Sequence, residues 1–374
     1  MTVIESNGVR TGPAHAVGVD DLAISAYYRE TWARPVSLSL PRFYRWQFVA
    51  PPENEGLDWN CVAVRDGAIL GVMGLNRRTF LLDGRPRRAA ELTTWVVSEA
   101  ARGLGVGKGI MQSLQATHDF MVGFGISEMA MPIYAASGFR RLGQIPRYFR
   151  VLDEAAVAHV ARIDPLGRRL IAHGKGGTDR AYHAREAEAA SLGEIGAAAS
   201  GRANLFKRDA AALAWRYEDH PVFDYRLYHV TDAARPGTGA AVILRSDETG
   251  GLRFLHVVDV FGDPADMDAA VAFIDGFARD TGAAFADVTC SHSATAGHFL
   301  AADWFSTNDD YFCQLSHLFY PFELRQPQTT SAVVWSRDDR AQAFDFGRLM
   351  LTKGDLDLDR PTIAYYEAHG RAQE

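Results

Sequence analysis

The stretch Glu91–Phe120, ELTTWVVSEAARGLGVGKGIMQSLQATHDF, constrains the fold more than any other. It reads as a strand, a glycine-rich turn and a helix. Glu91–Val97 is β-branched and apolar enough for a buried strand. Arg102, Gly105 and Gly107 follow in the spacing Arg-x-x-Gly-x-Gly. Behind them Val106, Ile110 and Leu114 recur at every fourth residue, the apolar stripe of a helix. Successive glycines let the backbone aim several N–H groups at one point. The helix start adds unpaired donors and a partial positive charge. Such a turn suits a phosphate or pyrophosphate. Two familiar phosphate loops are excluded. Gly103, Gly105, Gly107 and Gly109 do not give the spacing of the dinucleotide fingerprint, and Lys108 is followed by Gly109 where a P-loop needs Ser or Thr.

The residues before the turn fix its context. Cys61–Arg65 and Ala68–Leu82 read as strands joined by Asp66-Gly67, the second bending near Asn76. Asp83-Gly84 then returns the chain through Arg87–Val97. Two Asp-Gly hairpin signals between extended runs predict an antiparallel sheet. The glycine turn therefore ends the last strand of such a sheet, which argues against a doubly wound nucleotide fold. Upstream, residues 1–16 read as a flexible start and Asp20–Thr31 as a helix. Pro41–Trp46 is aromatic and basic, either a core anchor or the wall of a substrate cleft. Downstream comes a short strand near Phe124–Ala130. Tyr134-x-x-x-Gly138-Phe139 then reads as a short helix closed by glycine.

Arg-x-x-Gly-x-Gly, followed about thirty residues later by Tyr-x-x-x-Gly-Phe, resembles the GNAT superfamily of acyl-CoA N-acyltransferases. The resemblance implies acyl-CoA or acetyl-CoA as co-substrate and no metal. It implies that the amides of Arg102, Gly103, Leu104, Gly105, Val106, Gly107 and Lys108 hold the coenzyme A pyrophosphate. The pantetheine arm then lies along the strand at Val96 and Val97, and Tyr134 stands near the thioester sulfur as general acid. The edge of Thr94–Val97 can offer an N–H to the carbonyl as it becomes an oxyanion. Acyl transfer also needs the amine neutral. Glu91 is placed either as that base or in a salt bridge with Arg87 or Arg88. His292 and His298 are further candidates, and ordered water is the remaining route.

The element order recurs. Trp46-Gln-Phe48, Pro51 and a strand in the first half match Trp215-Arg-Tyr217, Pro221 and strand Tyr225–Val230 in the second. An alanine-rich helix over Ala184–Gly201 precedes this copy. Gly239–Ser246, Leu252–Val260, an amphipathic helix over 264–280, Ala284–Cys290, a short helix His298–Phe305 and a last strand Tyr311–Leu318 complete it. The fold class is therefore α/β (α+β), with two tandem GNAT-like domains, each a mixed, largely antiparallel sheet flanked by helices. The expected division is 1–16, a GNAT domain over 17–150, a connector over 151–180 carrying Gly174–Gly177, and a degenerate GNAT-like domain over 181–374 that shapes a substrate site or a dimer contact. In the second copy Val260-Phe-Gly-Asp-Pro-Ala-Asp266 stands where the glycine turn should be. Its aspartates repel pyrophosphate. The tail alternates Asp355, Asp357 and Asp359 with leucines. It reads either as a solvated acidic edge or as carboxylates meeting a substrate amine or an arginine. Arg360 stands where a calcium loop needs glycine.

Net charge is −7, with no basic footprint for nucleic acid. Cys61, Cys290 and Cys313 lack metal spacing. No apolar run reaches the ~20 residues of a membrane span, and the N-terminus lacks a signal-peptide pattern. A cytoplasmic enzyme, with a homodimer as one arrangement, is expected. The tandem order, Trp215-Arg-Tyr-x-x-His-Pro221 and the acidic tail resemble two-domain nucleotide-sugar N-acyltransferases, which serve polysaccharide biosynthesis. The acceptor implied is the amine of a nucleotide-linked amino sugar, with Trp46, Trp215 and Tyr217 stacking on the base and Arg216 or Arg226 taking phosphates. The alternatives are N-acetylation of another small-molecule amine and a non-catalytic acyl-CoA sensor.

Overall fold

The structure is a computed structural model that describes residues 3–32, 35–173, 179–306, 313–315, 331–338, 340–357 and 359–370. The first half lays down β1 (Ile4–Ser6), β2 (Val9–Pro13), α1 (Asp21–Thr31), α2 (Pro41–Phe48), β3 (Cys61–Arg65), β4 (Ala68–Leu82), β5 (Arg85–Val97), α3 (Val106–Thr117), β6 (Phe120–Phe124), α4 (Met131–Ala136) and β7 (Arg140–Gln144). Then come β8 (Arg147–Val151), β9 (Tyr182–Glu186), α5 (Ala189–Ala199), β10 (Asn204–Phe206), β11 (Arg226–Asp232), β12 (Arg235–Thr249), β13 (Leu252–Gly262), α6 (Met267–Asp280), β14 (Phe285–Thr289), α7 (Ser293–Ala301), β15 (Phe305–Ser306), β16 (Ser331–Ser336) and β17 (Leu349–Met350).

Local chemistry explains the hairpins. Asp66 and Gly67 have φ of 50° and 79°, and Asp83 and Gly84 have 49° and 71°. Positive φ at both central residues is the turn whose twist matches the strands it joins. The bend expected near Asn76 is a bulge at Gly74. Between the pairs Met73↔Trp95 and Leu75↔Leu92, Gly74 alone faces Thr93 and Thr94. A Cβ on Gly74 would lie 2.3 Å from the Thr93 hydroxyl and 2.8 Å from the Phe48 ring, so only glycine fits. The fifteen-residue β4 thus bends without breaking.

The first sheet runs β1-β2-β3-β4-β5-β6-β16-β7, with β10 pairing onto β4 and β17 onto β10. The second runs β9-β11-β12-β13-β14-β8-β15. In each, a parallel pair (β5 with β6, β13 with β14) sits amid antiparallel neighbours. Helix α3 covers one face of the first sheet through Val106, Ile110, Met111 and Leu114; α1 and α2 cover the other through Ile24, Tyr28, Phe43 and Phe48. In the second sheet α6 and α5 take the same two places. Trp46 and Trp215 meet where the halves join. Their rings stack at 5.7 Å, and each indole N–H donates to the other's carbonyl, at 3.2 and 2.9 Å. This reciprocity is what a duplicated unit packed on its own copy produces.

The boundaries differ from the sequence expectation in three ways. Ile4–Ser6 and Val9–Pro13 are strands of the first sheet, not a flexible start, because Arg10, Thr11, Gly12 and Pro13 pair with β3 and Val9 and Thr11 are buried. Strand β8 follows β7 in the chain but pairs with β14 and β15 of the second sheet. Conversely, β16 pairs with β6 and β7 of the first. Each half lends the other a strand, so a boundary at 150 cuts through a sheet. The strand after α3 is Phe120–Phe124, earlier than expected, and α7 begins before His298. The helix expected over Ala184–Gly201 begins as β9, an exposed edge strand, before α5. Of the expected Tyr311–Leu318, Cys313–Leu315 pairs with Ala161–Ile163. Gly174–Gly177 lies outside the described residues.

Candidate active site

Strands β5 and β6 pair only from Ala89↔Phe120 to Leu92↔Gly123. Beyond that point β5 runs on to Val97 beside β4 alone, so the two strands splay into a slot. The bulge at Thr93 and Thr94 lies where they part. Along this free edge, Trp95, Val96 and Val97 are half-buried. Tyr134 lies against the slot, its ring 5.5 Å from Trp95 and 5.0 Å from Phe139, both edge-on. Its helix ends at Gly138, with φ of 82°, as the Tyr-x-x-x-Gly-Phe pattern requires. The Tyr134 side chain is buried. Burial pushes its pKa up and the nearby Glu91 adds to this, so the phenol keeps its proton.

Past Val97 the chain makes one short turn, Glu99–Ala101, and reaches the glycines. Gly103 and Gly105 have φ of 81° and 77°. Gly105 caps α3 without any side-chain bond. The first amide of the helix to find a backbone acceptor is that of Gly109, on the Gly105 carbonyl at 2.9 Å. The amides of Val106, Gly107 and Lys108 precede it and are the unpaired donors of a helix start. Arg102 and Lys108 flank them, both exposed. The result is a cationic corner of free N–H groups at the mouth of the slot.

Glu91 projects from the other face of β5, toward the second half. Asn76 Nδ2 donates to its Oε2 at 2.6 Å, and the Asp357 main-chain N–H donates to its Oε1 at 2.6 Å. The side chain is 1% exposed. Burial pushes its pKa up to about 7, against the pull of Asn76, Arg216, Arg360 and Arg78. A carboxylate at that value is half ionised near neutral pH, as a general base requires. The salt-bridge alternative is not what forms, since Arg87 pairs with Asp338 and Arg88 with Asp119.

The other candidates sit elsewhere. His292 precedes α7 in the second half, with Nδ1 2.9 Å from the Thr295 hydroxyl. His298 pairs with Asp268 at 2.6 Å. Neither touches β5. Trp46 and Trp215 hold one another. Arg216 donates to the Gly354 carbonyl at 3.1 Å and to the Tyr225 hydroxyl at 3.3 Å. Tyr217 donates to Asp259 at 3.1 Å. Arg226 pairs with Glu186 on an exposed edge.

All three tail aspartates meet arginines, one of the two readings left open by the sequence. Asp355 takes Arg208 at 2.7 Å and Arg78 at 3.1 Å; Asp357 takes Arg360; Asp359 takes Arg245 at 2.7 Å. Sequence reasoning missed Asn76, Arg78 and Arg360. The alternating aspartates were the one available signal that a segment with a charged face had to be buried against cations.

In the second half the corner after β13 carries aspartates. Asp263 accepts from the Ala265 amide at 3.0 Å, and Asp266 accepts from the Asp232 and Gly239 amides, each at 2.9 Å. Its parallel pair also parts, after Val257↔Val288. The gap holds the tail. Thr352 bridges to Cys290, and its hydroxyl donates to Asp259 at 2.9 Å.

Residues 23–139 match the sequence model of the Acetyltransferase (GNAT) family. They form a GNAT acetyltransferase domain. The slot, the glycine corner and Tyr134 all fall inside it. No curated protein matches the chain by sequence. Among solved structures, a GCN5-related N-acetyltransferase from Anabaena variabilis is similar over 87% of this chain and 72% of its own, at 11% identity and a TM-score of 0.51. A probable N-acyltransferase from Enterococcus faecalis is similar over 90% and 74%, at 10% identity and a TM-score of 0.51. These likenesses extend the shared fold across both halves. The match marks residues 23–139 as an acyltransferase domain. Among the described residues, no helix is long and apolar enough to cross a membrane.

Proposed function

We propose that the chain transfers an acyl group from coenzyme A to the amine of a small molecule. In this reading the amides of Gly103, Gly105, Val106, Gly107 and Lys108 hold the pyrophosphate, with the Arg102 and Lys108 side chains adding charge; the expected amides of Arg102 and Leu104 donate instead to the Glu99 and Ala101 carbonyls, at 3.1 and 3.3 Å. The pantetheine lies in the slot beside Val96 and Val97, where a free β5 amide meets the carbonyl oxygen as charge develops. Glu91 takes the amine proton directly or through one water, and Tyr134 gives its proton to the leaving thiolate. Phenol and carboxyl approach the slot from its two sides, as attack and departure across one tetrahedral carbon demand.

A single observation carries this reading: an open slot with free amides at one end and a buried, doubly hydrogen-bonded carboxylate beside its base. A nucleotide-linked amino sugar, the acceptor implied by the sequence resemblance, would need cations for its phosphates and aromatics for its base. Arg216, Arg226, Trp46 and Trp215 are already engaged. That favours an amine without phosphates, entering beside Gln47, Asn76 and Asp357 where the halves meet.

The experiment is titration calorimetry with acetyl-CoA and longer acyl-CoAs. Thiol release would then be followed over a panel of aliphatic, aromatic and nucleotide-linked amines. Binding with turnover of an unphosphorylated amine is expected. Turnover confined to a nucleotide sugar would restore that acceptor, binding without any turnover would favour a sensor, and no binding would overturn the proposal.

A further inference from the structure

Lys353–Asp357, Asp359 and Arg360 belong by sequence to the second half, yet they reach into the site of the first. The Asp357 main-chain N–H meets Glu91 at 2.6 Å. The Asp357 side chain is held in turn: Gln47 Nε2 and Arg360 Nε each donate to its Oδ1 at 3.0 Å. Arg360 also donates to the Thr94 hydroxyl at 3.0 Å, and the Thr94 carbonyl accepts from the Tyr28 hydroxyl at 3.0 Å. Thr94 is one of the two bulged residues at which β5 leaves β6. One short segment therefore grips both the carboxylate and the point where the slot opens.

The segment is anchored on either side. Before it, Thr352 and Asp355 form a reciprocal capping box, and Asp355 is locked by Arg208 and Arg78. After it, Asp359 is tied to Arg245 and accepts from the Tyr225 hydroxyl at 2.6 Å. Every one of these aspartates and arginines is buried or nearly so, and breaking a buried ion pair is costly. The Asp357 amide is thus placed by the packing of both halves and has little freedom of its own.

We propose that Lys353–Asp357, with Asp359 and Arg360, is a positioning strap for acyl transfer: the Asp357 N–H holds Glu91 in its ionised, proton-accepting form, and Arg360 fixes the Thr94 bulge that opens the slot. This rests on the reading of Glu91 as the base. The charged, titratable and polar groups around Glu91 are Asn76 and Arg78 from β4, Tyr134 from α4, Arg216 from the second half, and Asp357 and Arg360 from the strap. A donor to the ionised carboxylate favours that form, as does a nearby cation. Losing either favours the neutral acid, which cannot accept a proton.

The test is an infrared pH titration of the protonated Glu91 carbonyl band, assigned by its absence in Glu91→Gln. Asp357→Pro deletes the N–H itself. The residue before it, Leu356, is already extended (φ −117°, ψ 149°), as a residue preceding proline must be. Arg360→Met removes the cation without touching the backbone, and Arg360→Lys restores charge. The band midpoint is expected to rise by on the order of one pH unit in Asp357→Pro and in Arg360→Met, and to fall back in Arg360→Lys. Thermal scans identify variants that fold. Should Asp357→Pro fail to fold, the Arg360 pair decides. A wild-type midpoint in a folded Asp357→Pro or Arg360→Met protein overturns the strap. Full turnover by Glu91→Gln would overturn the base assignment instead, a separate outcome read in a separate assay.

Discussion

The two halves place the same corner at the same point in the same order of elements, and they put opposite things in it. After β5, two glycines at positive φ leave the amides of α3 facing outward. After β13, Asp263 and Asp266 turn their carboxylates inward onto the neighbouring amides. The strand gaps differ in the same sense: the first is open beyond Leu92, and the second holds Thr352 against Cys290. At the register position of Glu91, opposite Asn76, the second half has His256, opposite Arg245 and bound to Asp287. The comparison teaches that one order of elements can carry glycines or aspartates at the same corner. The strands and helices need not change.

The comparison breaks most completely at Glu91. Glu91→Gln is expected to lower kcat by roughly 10²–10⁴-fold, the usual worth of a positioned base. Wild-type kcat/KM should rise with pH through about 7, where Glu91 ionises. The sign for stability is opposite. A carboxyl whose folded pKa lies above its unfolded one favours folding at low pH, and that contribution is lost as pH rises from about 4.5 to about 7. The glutamine variant should therefore gain melting temperature over wild type at pH 8 and not at pH 4. A parallel pair of melting curves would show Glu91 to be unstrained.

Gly105→Asp gives the first corner the chemistry of the second. Aspartate tolerates positive φ at a cost of about 1 kcal/mol, so the fold should persist with a slightly lower melting temperature. Affinity for acetyl-CoA should fall by roughly 100-fold or more, since a carboxylate would face the pyrophosphate. Calorimetry giving wild-type affinity would remove the corner from the site.

Asp266→Ala tests the converse. It strands two buried amides and should cost about 2–4 kcal/mol of stability. It should create no second coenzyme site, because Thr352 still fills the gap; calorimetry should return one acetyl-CoA per chain before and after. A second equivalent would mean that the aspartate alone blocks the site. The smallest effect is expected for Tyr134→Phe, roughly a tenfold loss of kcat with acetyl-CoA affinity unchanged. Unchanged kcat would leave the thiolate to be protonated by water.

The elements were legible in the sequence because they rest on local rules. The Asp-Gly turns set two hairpins, the glycine corner announced itself by spacing, and α6 followed its apolar stripe. The strand exchange was not legible. Arg147–Val151 and Ser331–Ser336 carry the alternation any sheet accepts, and nothing local says which sheet. The site divided in the same way. Glu91 and Tyr134 lie on motif elements and were named. Asn76, Arg78 and Arg360 become relevant only through contacts across the chain, Arg360 being 266 residues from its partner Thr94. His292 was named for its chemistry, and position decided against it.

The strand exchange also bears on how the chain is made. Phe120 pairs with Ser336. While the first half emerges from the ribosome, the gap between β6 and β7 stays unfilled until Ser331–Ser336 has been synthesised. The nascent first half thus waits with two unsatisfied strand edges, a state prone to wrong pairing. Such long-range closure is slow in any chain. Separate expression of residues 1–150 would keep the motif and lose the sheet, so a fragment cut at the sequence boundary is the wrong tool for studying the acetyltransferase domain.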